Sequence, residues 1–130
     1  MYTAVTKGVK VTVEPSYDAD RSEPEEGRYF WRYEIEIANL GDRTLTLTDR
    51  RWLITDANGR RQEVRGPGVV GEQPTLKPGQ AFRYVSGCPL TTSSGTMVGS
   101  YRMVDETGAA IEVAIPAFSL DSPGEARVIH

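Results

Sequence analysis

Three glycines form the pattern in this sequence with the clearest potential for chemistry. Gly66, Gly68 and Gly71 have the Gly-x-Gly-x-x-Gly spacing of loops that hold a pyrophosphate. Such a loop needs a strand before it and a helix N-terminus after it, because the helix dipole and its free N–H groups bind the anion. Here the residues at 72–74 are Glu-Gln-Pro, and no helical pattern continues the chain. The sequence therefore predicts that the three glycines chiefly shape the chain by adopting positive φ.

A weak phosphate site at the same loop is the alternative. Consecutive backbone N–H groups of this loop would form an anion-binding nest around Gly66, Gly68 and Gly71, although Pro67 donates none and Glu72 adds a repulsive charge. If the glycines only shape the loop, Val69 and Val70 should pack inward. Nearby cations either assist an anion or form a solvated strand face, and they are Arg60, Arg61 and Arg65.

The acidic stretch between residues 18 and 27 is a candidate cation site. Its carboxylates are Asp18, Asp20, Glu23, Glu25 and Glu26. The stretch lacks the Asp-x-Asp-x-Asp-Gly spacing of a calcium loop and is interrupted by Pro24. The sequence therefore predicts a solvated surface loop and no metal site.

Residues capable of nucleophilic or metal chemistry are scarce. The chain has one cysteine, Cys88, and one histidine, His130. Cys88 has no disulfide partner and no flanking cationic cluster, so an activated thiolate is not expected. A histidine at the last position leaves no Ser-His-Asp or Cys-His pair and no histidine zinc site for a folded interior. We therefore expect no catalytic residues, no metal and no cofactor.

Length and composition favour one globular domain over residues 1–130. A net charge of −3 gives no general attraction to nucleic acid or to anionic membranes. No segment is apolar enough to cross a membrane, and the N-terminus lacks the apolar core of a signal peptide. Together with the single cysteine, these features predict a cytoplasmic protein.

Alternating apolar residues predict strands along the chain. The strongest pattern covers residues 29–37, and its shared face carries Tyr29, Trp31, Tyr33, Ile35 and Ile37. About seven or eight short antiparallel strands separated by Gly and Pro turns predict an all-β, immunoglobulin- or fibronectin-III-like sandwich. Asn58-Gly59 predicts a hairpin turn, because both residues tolerate positive φ.

The same alternation predicts which side chains form the core. The predicted buried positions are Val11, Tyr33, Ile35, Ile37, Phe82, Tyr101 and Ile115. Trp31 and Trp52 are expected to anchor this core rather than to stack on a ligand. The strand that contains Phe82 is expected to end at Ser86, and residues 117–130 are interpreted as a tail that becomes polar.

Several blocks in fixed order carry a resemblance to a known family. They are the stretch at residues 66–74, Leu-Lys-Pro-Gly at 76–79, Phe-Arg-Tyr-Val-Ser at 82–86, Gly-Thr-Met-Val-Gly-Ser-Tyr at 95–101 and Ile-Pro-Ala-Phe-Ser-Leu at 115–120. In this order the sequence resembles the ApaG family from about residue 9 to residue 120.

The resemblance implies a fibronectin-III-like fold and a role in protein interaction, as in similar domains of some F-box proteins and of a polymerase-δ-interacting protein. It also implies a link to cobalt and magnesium handling, and it supplies no catalytic residues. Two functions therefore stay open: an interaction module for an unidentified protein, and a small-ligand protein that binds phosphate, pyrophosphate or a dinucleoside polyphosphate through residues 66–71. Pairing of edge strands in a homodimer is also left open.

Overall fold

The computed structural model describes residues 1–123 and consists of two antiparallel β-sheets packed face to face. The first sheet contains β1 (Tyr2–Thr6), β2 (Val9–Tyr17), β3 (Tyr29–Asn39) and β7 (Ala81–Leu90), in the order β1-β2-β3-β7. The second contains β4 (Leu45–Asp56), β5 (Arg61–Pro67), β8 (Ser94–Asp105) and β9 (Ala110–Asp121), in the order β5-β4-β8-β9, and β6 (Thr75–Leu76) pairs with the start of β4. His130 and the last part of the expected tail lie outside the described residues.

The prediction of an all-β sandwich is confirmed, with nine strands among the described residues rather than about seven or eight. The additional strands are β1, which precedes the first valine alternation, and the two-residue β6. No α-helix occurs within residues 1–123. The acidic stretch contains two short 3₁₀ turns, Ala19–Arg21 and Pro24–Glu26, neither of which has a buried residue, as a surface loop requires.

The core lies between the two sheets and follows the predicted alternation. In β3 the side chains of Trp31, Tyr33, Ile35 and Ile37 are buried, and they face the buried residues of β4, β8 and β9. Six of the predicted core residues are buried, whereas Phe82 is only partly buried. Phe82 lies on β7, which has a neighbouring strand on one side only, so solvent reaches its ring.

Two predicted strand ends are wrong in the same direction. β7 continues past Ser86 to Leu90, where Cys88 pairs with Trp31 of β3. β9 continues to Asp121 and buries Phe118 and Leu120, which the sequence pattern placed in a tail. In both cases the neighbouring strand supplies hydrogen bonds beyond the point where the alternation of apolar residues becomes irregular.

The predicted hairpin turn at Asn58-Gly59 joins β4 to β5, but only Gly59 of this pair has positive φ. The carboxylate of Asp56 accepts hydrogen bonds from the N–H groups of Asn58 and Arg60 at 2.8 and 3.0 Å. The turn is therefore of the longer kind in which one glycine occupies the left-handed region, with an aspartate side chain satisfying the open amides.

We predict that Ile35→Ala lowers the free energy of unfolding by about 2–5 kcal/mol, because Ile35 is fully buried between the sheets. Val5→Ala is the matched control, since Val5 is 62% exposed on β1 and should change stability by less than about 0.5 kcal/mol. Chemical denaturation of both variants measures the difference. Equal losses would contradict the assigned core.

Candidate functional site

The glycine loop (residues 66–73) leaves the end of β5 and folds into a small hairpin of its own. The N–H of Val69 donates to the carbonyl oxygen of Glu72 at 2.8 Å, and the N–H of Glu72 donates to the carbonyl oxygen of Val69 at 2.9 Å. The two residues between them have positive φ, 43° at Val70 and 82° at Gly71. These values at both central positions define a type I′ turn, which favours Asn-Gly and disfavours a β-branched residue.

Gly66 and Gly68 both have close neighbours, a movable side chain at Gly66 and fixed backbone at Gly68. A Cβ at Gly66 would lie 3.0 Å from Nη1 of Arg50, so the absent side chain makes room for a guanidinium group. A Cβ at Gly68 would lie 2.2 Å from the carbonyl oxygen of Glu72, which is a clash with backbone, and Gly68 also has a φ of 61°. Each glycine of the motif therefore has a physical reason within the protein itself.

The amide groups of the loop are largely committed to the protein's own carbonyls. The N–H of Gly68 donates to the carbonyl oxygen of Thr48 at 2.9 Å, and those of Val69 and Glu72 bond to each other's carbonyls. Pro67 has no N–H. An anion at Gly66, Gly68 and Gly71 would therefore find few free donors, and an anion site at these glycines stays a prediction.

Val69 and Val70 were both expected to pack inward, and this is wrong for Val70. Val69 is buried in the core, whereas Val70 is 53% exposed. The positive φ at Val70 turns its side chain away from the sandwich. A strained backbone that presents an apolar side chain to solvent gives no folding advantage.

Arg50 is the cation that lies against the glycine loop, and sequence reasoning did not select it. Its Nη1 donates to the carbonyl oxygens of Pro67 and Gly68 at 3.1 and 3.0 Å. A register shift in β4 between Leu47 and Asp49 places Arg50 in phase with the buried Trp52, so the arginine points between the sheets.

The three arginines considered either as aids to an anion or as a solvated strand face lie in two different places. Arg60 and Arg61 lie at the opposite end of β5, in a depression that they share with Arg28 and Phe30. Arg65 lies on the outer face of the second sheet, where its Nε is 3.2 Å from Glu63. Arg65 also lines a depression on that face with Arg51, Arg102, Gly66 and Pro67. Of the three arginines, Arg65 alone therefore lies beside the start of the loop, and its neighbours there are Arg51 and Arg102 rather than Arg60 and Arg61.

A cleft of about 350 Å³ opens beside the glycine loop, between β5 of one sheet and β7 of the other. We call it the β5–β7 cleft, and its lining includes Tyr33, Arg50, Trp52, Gln62, Val64, Val70, Tyr84, Ser86, Cys88 and Met97. Val70 and Gly71 form one edge of the opening, and the aromatic core forms the floor. The type I′ turn of the glycine loop therefore shapes the mouth of this cleft.

The polar groups in the cleft are neutral apart from Arg50. Burial raises the pKa of the Tyr33, Tyr84 and Tyr101 hydroxyls, and the Tyr84 and Tyr101 hydroxyls are hydrogen-bonded to each other. Burial also raises the pKa of the Cys88 thiol to about 11. These hydroxyls and the thiol stay protonated at neutral pH, so the cleft offers hydrogen bonding and apolar contact rather than an ionised nucleophile.

The two margins of the sandwich differ in whether side chains join their edge strands. On one side β1 and β9 are joined by side chains: the Tyr2 hydroxyl lies 3.1 Å from Oγ of Ser119, and the N–H of Ala114 donates to Oγ1 of Thr6 at 3.2 Å. On the other side, within residues 1–123, β5 pairs only with β4 and β7 only with β3, and the cleft separates them. Both of these strands keep one edge available for hydrogen bonds.

The outer face of β5 carries a compact charge cluster. Glu63 accepts from Nε of Arg51 at 2.7 Å and lies 3.2 Å from Nε of Arg65. Hydrogen bonds from Arg65 and then Arg51 lower the pKa of the Glu63 carboxyl. Arg51 and Arg65 are direct cross-strand neighbours, so the single carboxylate offsets the repulsion between two guanidinium groups.

Within residues 1–123 no three His, Cys, Asp or Glu side chains are grouped closely enough to hold a metal ion. No helix in this part of the chain is long and apolar enough to cross a membrane.

Known proteins share both the sequence pattern and the fold of this chain. The profile of the ApaG domain family matches residues 19–105. The chain is 61% identical to Protein ApaG of Brucella anthropi and 56% identical to Protein ApaG of Beijerinckia indica, over the full length of each chain. A crystal structure of the putative ApaA protein of Bordetella pertussis superposes with a TM-score of 0.86 at 46% identity, covering 88% of this chain and 94% of that one. The C-terminal domain of wzt, with a TM-score of 0.55 at 13% identity, shares the fold alone.

We predict that Gly68→Ala lowers the free energy of unfolding more than Gly71→Ala does. Both residues have positive φ, which costs a side chain about 1–3 kcal/mol, but only Gly68 would also place its Cβ against the Glu72 carbonyl. Chemical denaturation with and without pyrophosphate measures both effects. Equal costs for the two variants, or a cost that pyrophosphate changes, would count against a purely architectural loop.

Cys88 provides a chemical test of the cleft. In the folded protein, alkylation of Cys88 should be much slower than in the denatured protein, because the thiol is buried and its pKa of about 11 leaves little thiolate at neutral pH. The labelling rate should keep rising above pH 9, the thiol's ordinary value, toward about 11. Mass spectrometry of iodoacetamide-treated protein measures the rate, and rapid labelling at neutral pH would contradict a buried, protonated thiol on the floor of the cleft.

Proposed function

The chain belongs to the ApaG domain family, and from that premise we propose that it is a non-catalytic protein-interaction module that binds an extended partner segment at the β5–β7 side of its sandwich. The observation that carries the proposal is the difference between the two margins. The β1–β9 margin is closed by side-chain hydrogen bonds, whereas the β5–β7 margin leaves two strand edges and a cleft open. Strand edges of this kind bind extended peptides through main-chain hydrogen bonds.

The cleft supports side-chain recognition beside the strand edges. Val64 and Val70 offer apolar surface above the nearly buried rings of Trp52 and Tyr33. The Gln62 amide and the Ser86 hydroxyl are the neutral polar groups of the lining. An apolar or aromatic side chain of the partner segment suits this lining, since desolvating it costs little and covers apolar area. A carboxylate suits it less, because Arg50 is already bonded to Pro67 and Gly68.

Val70 is the second feature that favours binding at this margin. It is a β-branched residue at positive φ, more than half exposed, at the mouth of the cleft. An asparagine at this position would form the same type I′ turn with less backbone strain. A contact between the valine side chain and a partner accounts for keeping an apolar residue in this strained position.

The absence of catalysis is part of the proposal. The cleft hydroxyls and the thiol have raised pKa values, so none of them serves as a base or an activated nucleophile at neutral pH. Small-anion binding at the glycine loop is the weaker candidate, because Gly68, Val69 and Glu72 donate within the protein. A direct role in cobalt or magnesium binding gains no support from the side chains of residues 1–123. We place the interaction in the cytoplasm, because a chain with a single cysteine is typical of a reducing compartment.

Photo-crosslinking tests where the partner binds. A photoreactive benzophenone amino acid at Gln62, which is exposed at the cleft, should capture a protein adduct in the native cell. The same group at Lys10, exposed on the outer face of the first sheet, is the matched control and should capture no such adduct. Mass spectrometry identifies the captured peptide. Equal capture from both positions, or none from Gln62, would contradict binding at this margin.

Val70→Asn separates binding from folding. We predict that this variant raises the free energy of unfolding by about 0.5–2 kcal/mol, because Asn-Gly suits the type I′ turn. The yield of the Gln62 adduct should nevertheless fall, since the exposed valine contact is lost. Chemical denaturation and adduct quantification are the two measurements. A variant that is more stable and crosslinks as well as the wild type would remove Val70 from the interface.

A further inference from the structure

We propose that β5 pairs with β5 of a second copy of this chain, in antiparallel orientation, and so joins the two outer sheets into one continuous sheet. This inference rests on the proposed function, because it names the occupant of one of the two open edges. The strand Arg61–Pro67 is fully described, pairs with β4 on one side and has its other edge free within residues 1–123.

The sequence of β5 is complementary to itself. In the antiparallel register that pairs all of Arg61–Pro67, Val64 lies opposite Val64 of the second copy. Glu63 then lies opposite Arg65 of the second copy, and by symmetry Arg65 lies opposite its Glu63. The register with the most main-chain hydrogen bonds is thus also the one that pairs opposite charges twice.

Neighbouring registers are disfavoured by like charges. A slip of two residues in one direction places Glu63 opposite the other Glu63, and Arg61 opposite Arg65. A slip of two residues in the other direction places Arg65 opposite the other Arg65. A slip of one residue places the inward-facing Val64 opposite Glu63 or Arg65 of the second copy, so that an apolar side chain pairs with a charged one. Charge therefore selects a single register.

The side chains on the two faces of β5 fit the pairing. Glu63 and Arg65 lie on the outer face, where Glu63 is 2.7 Å from Arg51 and 3.2 Å from Arg65 of its own chain. In the pair each Glu63 would keep Arg51 and exchange its own Arg65 for Arg65 of the second copy. Val64 and Gln62 line the cleft on the inner face. Residues directly opposite in an antiparallel pair share a face, so the two valines meet and the two clefts open toward each other.

Pro67 is the one residue of β5 that protects an edge against pairing, since it has no N–H. It is the last residue of the strand, and in the full register it lies opposite Arg61 at each end of the pair. The loss is therefore confined to the ends. β7 keeps its own free edge for the extended partner segment of the proposed function.

Charge reversal tests the pairing. Analytical ultracentrifugation should show a concentration-dependent dimer of the full chain that weakens as salt increases. Glu63→Arg and Arg65→Glu should each weaken the dimer by about tenfold, because each reverses two symmetry-related pairs. The double variant that swaps the two charges should restore dimerisation to nearly the wild-type level. Glu112→Arg, an exposed charge reversal on β9 of the same sheet, is the control and should change nothing.

A register-specific disulfide keeps the test independent of side-chain charge. In a Cys88→Ser background, Val64→Cys should form a covalent dimer on oxidation, because the two positions lie directly opposite. Gln62→Cys should not, since it faces Gly66 of the second copy. Circular dichroism checks that each variant is folded.

The outcomes separate this inference from the proposed function. A wild type that stays monomeric at all concentrations, or single reversals that leave a dimer intact, would overturn β5 pairing. Capture of a different protein at Gln62 would then still support the interaction module. If the double charge-swap variant restores the dimer and the photoreactive group at Gln62 captures no other protein, self-pairing is supported and a separate partner is not.

Discussion

The hydrogen bonds of one inward-pointing arginine organise the end of this sandwich where β5 meets the glycine loop. Arg50 would be an outward residue if β4 kept a strict two-residue alternation, but the register shift after Leu47 turns it toward the core. There its guanidinium binds the carbonyls of Pro67 and Gly68 and lies against Gly66. A half-buried cation needs such acceptors, because burying it unpaired would be costly. The contact fixes where β5 ends, and so fixes the loop that forms the mouth of the cleft.

This dependence explains which parts of the structure sequence reasoning could reach. The alternation in β3 is regular from Trp31 to Ile37, so the fold class and most of the core followed from it. The bulge in β4 moves the buried apolar positions from Leu45 and Leu47 to Trp52 and Ile54, but the polar residues 48–51 do not show where the shift falls, and Arg50 was therefore not selected. Val70 was expected inside because valine is apolar, but the type I′ turn overrides that preference. Which strand edges stay free depends on the order of strands in each sheet, and the alternation within a single strand does not predict that order.

The two margins of the sandwich show two ways in which an antiparallel protein protects its strand edges. β1 and β9 use hydroxyl groups to cover each other, and a covered edge is lost to other chains. β5 and β7 are held apart by the cleft, and their protection is weaker: one proline at the end of β5 and the charges on its outer face. Charges on an edge strand usually discourage pairing. In β5 their order is self-complementary, so they admit one partner register while repelling the neighbouring ones.

The glycine motif shows why spacing alone does not specify a ligand. In a dinucleotide-binding loop the glycines allow a pyrophosphate to approach the backbone. In this protein the same freedom is used by groups of the chain itself: the Arg50 guanidinium occupies the space at Gly66, and the Glu72 carbonyl occupies the space at Gly68. An incoming anion would have to displace the Gly68 amide from Thr48, and to attract Arg50 it would compete with two carbonyl acceptors. The contacts that explain the glycines are therefore the same contacts that weaken the site as an anion receptor.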